Sequence, residues 1–92
     1  MVDEAILAKD SVALVTGASA GIGRAVAVAL SARGARVICA ARRLDRLEDL
    51  VAGLPGPALA FELDIADGEA VDVLLQRLPE DWRQIDILIN NA

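Results

Sequence analysis

Thr16-Gly17-Ala18-Ser19-Ala20-Gly21-Ile22-Gly23 follows directly on the apolar run Val12-Ala13-Leu14-Val15 and leads into a stretch of helical period ending at Gly34. A strand that runs through a glycine turn into a helix is the opening of a parallel βαβ unit. At such a turn one glycine supplies backbone angles closed to other residues. A second lets backbone N–H groups approach an anion, and a third lets helix and strand pack closely. The helix N-terminus adds a favourable dipole, so the junction is suited to phosphate. The spacing is G-x-x-x-G-x-G, and the Lys-Ser/Thr ending of a P-loop is missing.

Outward from this junction, short apolar runs alternate with longer helical stretches, the pattern of a parallel sheet covered on both faces. Four strands are expected, at Val12–Val15, Val37–Ala40, Ala58–Phe61 and Ile85–Ile89, each apolar on both faces. The first helix is expected from Gly21 to Arg33, with Ile22, Val26, Ala29 and Leu30 on its apolar face and Gly34 as its stop. A second presents Leu44, Leu47, Val51 and Leu54 before Pro55-Gly56-Pro57. A third, capped by Asp67 with Glu69 in its first turn, presents Val71, Leu74, Leu75 and Leu78 before Pro79. Right-handed crossovers then give the strand order 3-2-1-4.

Composition excludes much else. The chain has 92 residues, room for one core. It is 55% apolar and 25% charged, which argues against disorder. Aromatics are 2%, so a stacking platform for single-stranded nucleic acid is not expected. There is no His and one Cys, which leaves no His/Cys zinc set, no intrachain disulfide and no Ser/His/Asp triad; no metal site is expected. The apolar runs are too short to span a bilayer, and Met1-Val2-Asp3-Glu4 is acidic where a signal peptide is basic. A cytoplasmic protein with no membrane partner is the expectation. Net charge is −5, divided as +3 over residues 1–46 and −8 over residues 47–92. A basic first half on an acidic chain fits a small anionic ligand better than nucleic acid.

The sequence resembles the short-chain dehydrogenase/reductase family over essentially its whole length. Thr16 to Gly23 is similar to that family's T-G-x-x-x-G-I-G cofactor motif, Asp64 stands where the family places its adenine-contacting Asp, and Ile89-Asn90-Asn91-Ala92 resembles the start of its N-N-A-G motif. The resemblance implies a Rossmann-like three-layer αβα fold over residues 1–92, a partial dinucleotide-binding domain. It also implies that Gly17, Ser19, Ala20, Gly21, Ile22 and Gly23 line the phosphates and the adenosine ribose. Asp64 and the Ile65 backbone would hold adenine, and Asn91 and Ala92 would lie near the ribose on the nicotinamide side. Asp64 also reads as a helix-capping or loop acid. Asn90 reads as structural, its amide bridging backbone groups of neighbouring strands.

Cofactor choice is read after the second strand. An NAD site places Asp or Glu there to accept hydrogen bonds from the ribose 2′-hydroxyl. Here Ala40-Ala41-Arg42-Arg43 occupies that place, and a guanidinium suits a 2′-phosphate, so NADP(H) is expected at Arg42 and Arg43. The plainer alternative is a pair of solvated charges, although a basic first turn opposes the helix dipole. Cys39 reads as a small buried hydrophobe, and Trp82 as the cover of a helix end in an exposed connection.

The family's chemistry depends on Y-x-x-x-K with a Ser and a further Asn, all beyond N-N-A-G. The chain has no Tyr, its one Lys is Lys9, and Ser11, Ser19 and Ser31 match no catalytic position. It therefore reads as the NADP(H)-binding N-terminal portion of such an oxidoreductase, truncated after the fourth strand, with no catalytic residue of its own. The parent reaction implied is hydride transfer between NADP(H) and an alcohol or carbonyl carbon. A stand-alone nucleotide-binding or sensing module and a non-catalytic assembly fragment remain open. The last strand is expected to expose an edge that pairs with a second copy or with a missing C-terminal half.

Overall fold

The computed structural model describes residues 10–64 and 69–91. Expectations placed on residues 1–4, Lys9, Ile65, Asp67 and Ala92 lie outside these residues. In chain order the elements are β1 (Val12–Thr16), α1 (Gly21–Ala32), β2 (Arg36–Ala41), α2 (Leu44–Gly53), β3 (Ala58–Glu62), α3 (Ala70–Arg77), a 3₁₀ turn (Glu80–Trp82) and β4 (Ile87–Ile89). The strands form one parallel sheet in the order β3-β2-β1-β4, with Val12 opposite Arg36, Val37 opposite Ala58 and Ala13 opposite Ile87. This is the expected Rossmann-like topology.

The apolar runs of β1 and β2 are two interleaved alternations, because successive strand side chains point to opposite faces. Ala13, Val15, Val37, Cys39 and Ala41 pack with Ala27 and Leu30 of α1 and Leu47 and Leu50 of α2. Val12, Leu14, Ile38 and Ala40 pack with Leu74 of α3, Leu78 and Trp82 on the other face. A parallel sheet so covered has few half-wet positions in its centre. The outer strands differ from expectation: β3 is only half-buried, and Leu88 of β4 is 63% exposed.

The buried face of α1 is also rotated from the expected one. Gly23, Ala27, Leu30 and Ser31 are buried, Val26 is partly so, and Ile22 and Ala29 are exposed. The helix is apolar nearly all round, so its period alone fits two faces. Close approach to the sheet selects the one with the smallest residues. At its end Gly34, at φ 96°, donates to the Ser31 carbonyl while Ala35 donates to that of Leu30, the paired bonds of a Schellman stop.

Three further corrections concern single residues. In α2, Leu50 is buried beside Leu47, whereas Leu44 is at the surface. β4 begins at Ile87 rather than Ile85, because Asp86 is spent on a lead-in contact: its Oδ2 accepts the Val12 N–H at 2.9 Å and its own N–H donates to the Val12 carbonyl. Trp82 is a core residue, 8% exposed, with the Arg36 guanidinium stacked 4.2 Å from its ring centroid. Arg36 also donates to the Asp81 carbonyl and carboxylate, which holds the 3₁₀ turn against β2.

Candidate functional site

The carboxyl ends of all four strands lie on one edge of the sheet, and the glycine loop leaves from its centre. At Gly17 the chain turns with φ 63°, and the Ala18 N–H donates to the Ala40 carbonyl at 3.2 Å, which ties the loop to the end of β2. Gly21 has φ 58°, a conformation L side chains rarely adopt, and a Cβ there would meet nothing within 4 Å. Open space on that side leaves room for a bound group. Gly23 does the opposite. A Cβ there would collide with the Gly17 carbonyl oxygen and lie 2.9 Å from Asn91 Nδ2. Gly23 thus packs α1 against the loop and against the end of β4.

The first turn of α1 contains no acid, and Ala20 offers no side-chain cap to its N–H groups. Those donors and the dipole face the same edge, where an anion is favoured. Ser19 is half-buried, while Ala20, Gly21 and Ile22 are exposed, with Ile22 at 72%.

Thr16 was expected only as the first letter of the loop. The structure makes it the joint between β1 and β4. Its buried hydroxyl donates to Asn90 Oδ1 at 3.0 Å and accepts the Asn91 N–H at 3.1 Å. Asn90 therefore bridges strands through a side chain rather than through backbone groups. The usable sequence signal was a β-branched hydroxyl ending a strand. Thr16→Val keeps the shape and removes the hydroxyl, and is expected to cost about 1–3 kcal/mol in urea unfolding. The lower end applies because Asn90 and Asn91 are exposed and water replaces part of the loss. Thr16→Ser should recover most of it; equal losses in both variants would contradict the role of the hydroxyl.

Arg42 and Arg43 follow β2 and are exposed. Arg43 stands at the N-cap of α2, with its Nε 3.9 Å from Asp45 Oδ1. Arg42 has no hydrogen bond or ion pair among the described residues. One strand further out, the Leu63 N–H donates to the Ala41 carbonyl and brings exposed Asp64 to the end of β3. Beside it, between β3 and α3, lies a cavity of about 210 Å³ bordered by Phe61, Asp64, Val73 and Arg77. The geometry thus brings Gly17, Gly23 and Asn91 into direct proximity and sets Arg42, Arg43 and Asp64 on the neighbouring strand ends.

Cys39 is fully buried in the middle of β2, and burial pushes its thiol up from 9.0 to about 11. The folded state retains a proton that the unfolded chain releases, so stability from this group is whole below pH 9 and is lost as pH rises from 9 towards 11. Cys39→Ala should flatten that decline in urea midpoints, and the native thiol should resist alkylation until the chain unfolds. Rapid labelling under native conditions would contradict this placement.

Among the described residues no group of three or more His, Cys, Asp or Glu is placed to hold a metal ion, and no helix is long and apolar enough to cross a membrane.

The short chain dehydrogenase family matches residues 11–92, and the chain belongs to that family. A protein of Dichelobacter nodosus described as a probable NADP-dependent dehydrogenase is 47% identical over 81 residues, covering 88% of this chain and 76% of that one. The NADP-dependent 3-hydroxy acid dehydrogenase of Salmonella typhi is 40% identical, covering 88% of this chain and 33% of that one. The crystal structure of L-sorbose reductase from Gluconobacter frateurii, complexed with NADPH and L-sorbose, superposes with a TM-score of 0.81 at 34% identity, covering 91% of this chain and 34% of that one. The chain therefore spans about three quarters of the first of these proteins and about a third of the other two.

Proposed function

We propose that this chain binds NADP(H) and forms the cofactor-binding portion of a short-chain dehydrogenase/reductase. The observation that carries the reading is Arg42, without a partner among the described residues, at the carboxyl end of β2 and on the same sheet edge as a glycine loop open at Gly21. A guanidinium in that place recognises a 2′-phosphate, and nothing acidic at residues 40–43 accepts a 2′-hydroxyl instead. The NADP dependence of the relatives supports the same choice.

In this reading Gly17, Ser19, Ala20, Gly21, Ile22 and Gly23 present backbone N–H groups and the α1 N-terminus to the phosphates. Arg42 and Arg43 take the 2′-phosphate, Asp64 the adenine, and Asn91 the ribose on the nicotinamide side. When bound, the cofactor supplies or accepts hydride at an alcohol or carbonyl carbon. The 92 residues contain neither Tyr nor His, and Lys9 precedes β1, so they offer no proton donor of the family's kind at the nicotinamide. The 92-residue polypeptide is therefore expected to bind NADPH without oxidising it when aldehydes and ketones are added.

Calorimetric titration of the polypeptide with NADPH and NADH tests the reading. NADPH should bind roughly 10- to 150-fold more tightly, the equivalent of about 1.5–3 kcal/mol for hydrogen bonds to a charged group. Equal affinities, or no binding of either, would overturn it. The outer edge of β4 is where we place further strands, from a longer chain of the family or from a second copy: β4 is paired with β1 and exposes Leu88. Sedimentation should show association that Leu88→Lys reduces, and a wild-type monomer at high concentration would remove the second-copy form of this reading.

A further inference from the structure

We infer that Asp45 is a specificity-determining residue, whose carboxylate contests Arg43 with the 2′-phosphate of NADP(H) and weakens the preference for that cofactor below what two arginines would give. The inference rests on the cofactor reading above. Asp45 is the acid of the first turn of α2, two residues after the N-cap Arg43, and its Oδ1 lies 3.9 Å from Arg43 Nε. The two arginines thus differ, since Arg42 has no partner among the described residues while Arg43 already faces a carboxylate.

Asp45 has its own reason to be there. α2 has no side-chain cap at Arg43, and a carboxylate in the first turn offsets both the dipole and the misplaced arginine. That same position is unfavourable to a second anion. The Arg43 and Asp45 side chains are 60% and 75% exposed, so their pair is loose, screened and easily broken. What persists after it breaks is the charge: a phosphate dianion held by Arg43 would be a near neighbour of the Asp45 carboxylate, and charges closer than a Debye length of about 8 Å at physiological salt still repel. Unphosphorylated cofactor brings no such dianion and is indifferent to Asp45.

Asp45→Asn, Asp45→Glu, Arg43→Gln and the Arg43→Gln/Asp45→Asn double variant of the 92-residue chain test the inference, each titrated with NADPH and NADH by calorimetry. Urea unfolding reports on the helix separately. Asp45→Asn should raise NADPH affinity about threefold near physiological salt and more at low salt, leaving NADH unchanged. Asp45→Glu should keep the wild-type ratio, and the gain should shrink when Arg43 is already Gln. An unchanged NADPH-to-NADH ratio in Asp45→Asn, or a parallel change in both affinities, would overturn the inference while leaving the functional reading intact. A wild-type chain that does not prefer NADPH would instead overturn the functional reading, and the inference with it.

Discussion

Gly23→Val is expected to abolish cooperative folding of the chain or to cost more than about 3 kcal/mol of it, the largest effect of any substitution in the glycine loop. The added Cβ would overlap the Gly17 carbonyl oxygen, lie 2.8 Å from the Gly17 carbonyl carbon and reach Asn91 Nδ2 at 2.9 Å. The first two atoms are backbone and cannot swing aside. Relief requires α1 to lift from the sheet, and α1 carries Ala27 and Leu30 into the core. The shift would also displace Asn91, whose N–H is held by Thr16, so the damage spreads from β1 to β4. Marginal stability of the usual size, about 5–15 kcal/mol, leaves little reserve against this. Gly21→Ala is the control: its Cβ meets nothing within 4 Å, and only the positive φ is penalised, by about 1–2 kcal/mol. Urea unfolding of both variants checks the order, and a Gly23→Val chain as stable as Gly21→Ala would show that the crowding is relieved.

The sequence made the layer order legible because residues 12–15 and 37–41 are apolar without interruption and the helices that follow β1 and β2 end beside glycine or proline. A strand covered on both faces has no other pattern open to it. The face of α1 was not legible for the same kind of reason in reverse: with apolar residues all round, period 3.6 is satisfied by more than one stripe, and contact distance decides. Trp82 shows a second limit. It follows Pro79 among acids, and what buries it is the sheet face of Val12, Leu14 and Ile38 together with Arg36, all far away in sequence, with Arg36 lying over its ring and holding Asp81. No local pattern contains that contact.

The candidate site divides along the same line. Glycines, arginines and Asp64 stand out as candidates in the sequence because residue type and place after a strand are local features, and the structure sets them on one sheet edge. Thr16 was overlooked as a joint because its role is fixed by Asn90 and Asn91, 74 and 75 residues away, whereas Gly23 stands in the close-packing place that the loop spacing gives its last glycine, against the Gly17 carbonyl and Asn91. Arg42 and Arg43 were inseparable in sequence. The structure separates them through Asp45, which faces only the second.

Arg42→Asp should then reverse the cofactor preference more strongly than any change at Arg43. The substitution removes a guanidinium that has no competing partner among the described residues and puts a carboxylate after β2, where an acid accepts hydrogen bonds from a ribose 2′-hydroxyl and repels a 2′-phosphate. NADPH affinity is expected to fall roughly 10- to 150-fold, and NADH affinity to hold or rise by a few fold. The fold should tolerate the change, since Arg42 is exposed and lies between β2 and α2, and an acid just before a helix suits its dipole. Salt supplies a second readout, because attraction at an exposed site is screened: the wild-type gap between the cofactors should narrow as salt is raised towards 1 M, and the Arg42→Asp penalty should narrow with it. Arg43→Gln should cost NADPH binding less than Arg42→Gln, because Asp45 already claims part of what Arg43 offers. A ratio of affinities that does not move in Arg42→Asp would mean that the two arginines are solvated charges at the mouth of α2 and that selectivity, if the chain has any, is set elsewhere along the sheet edge.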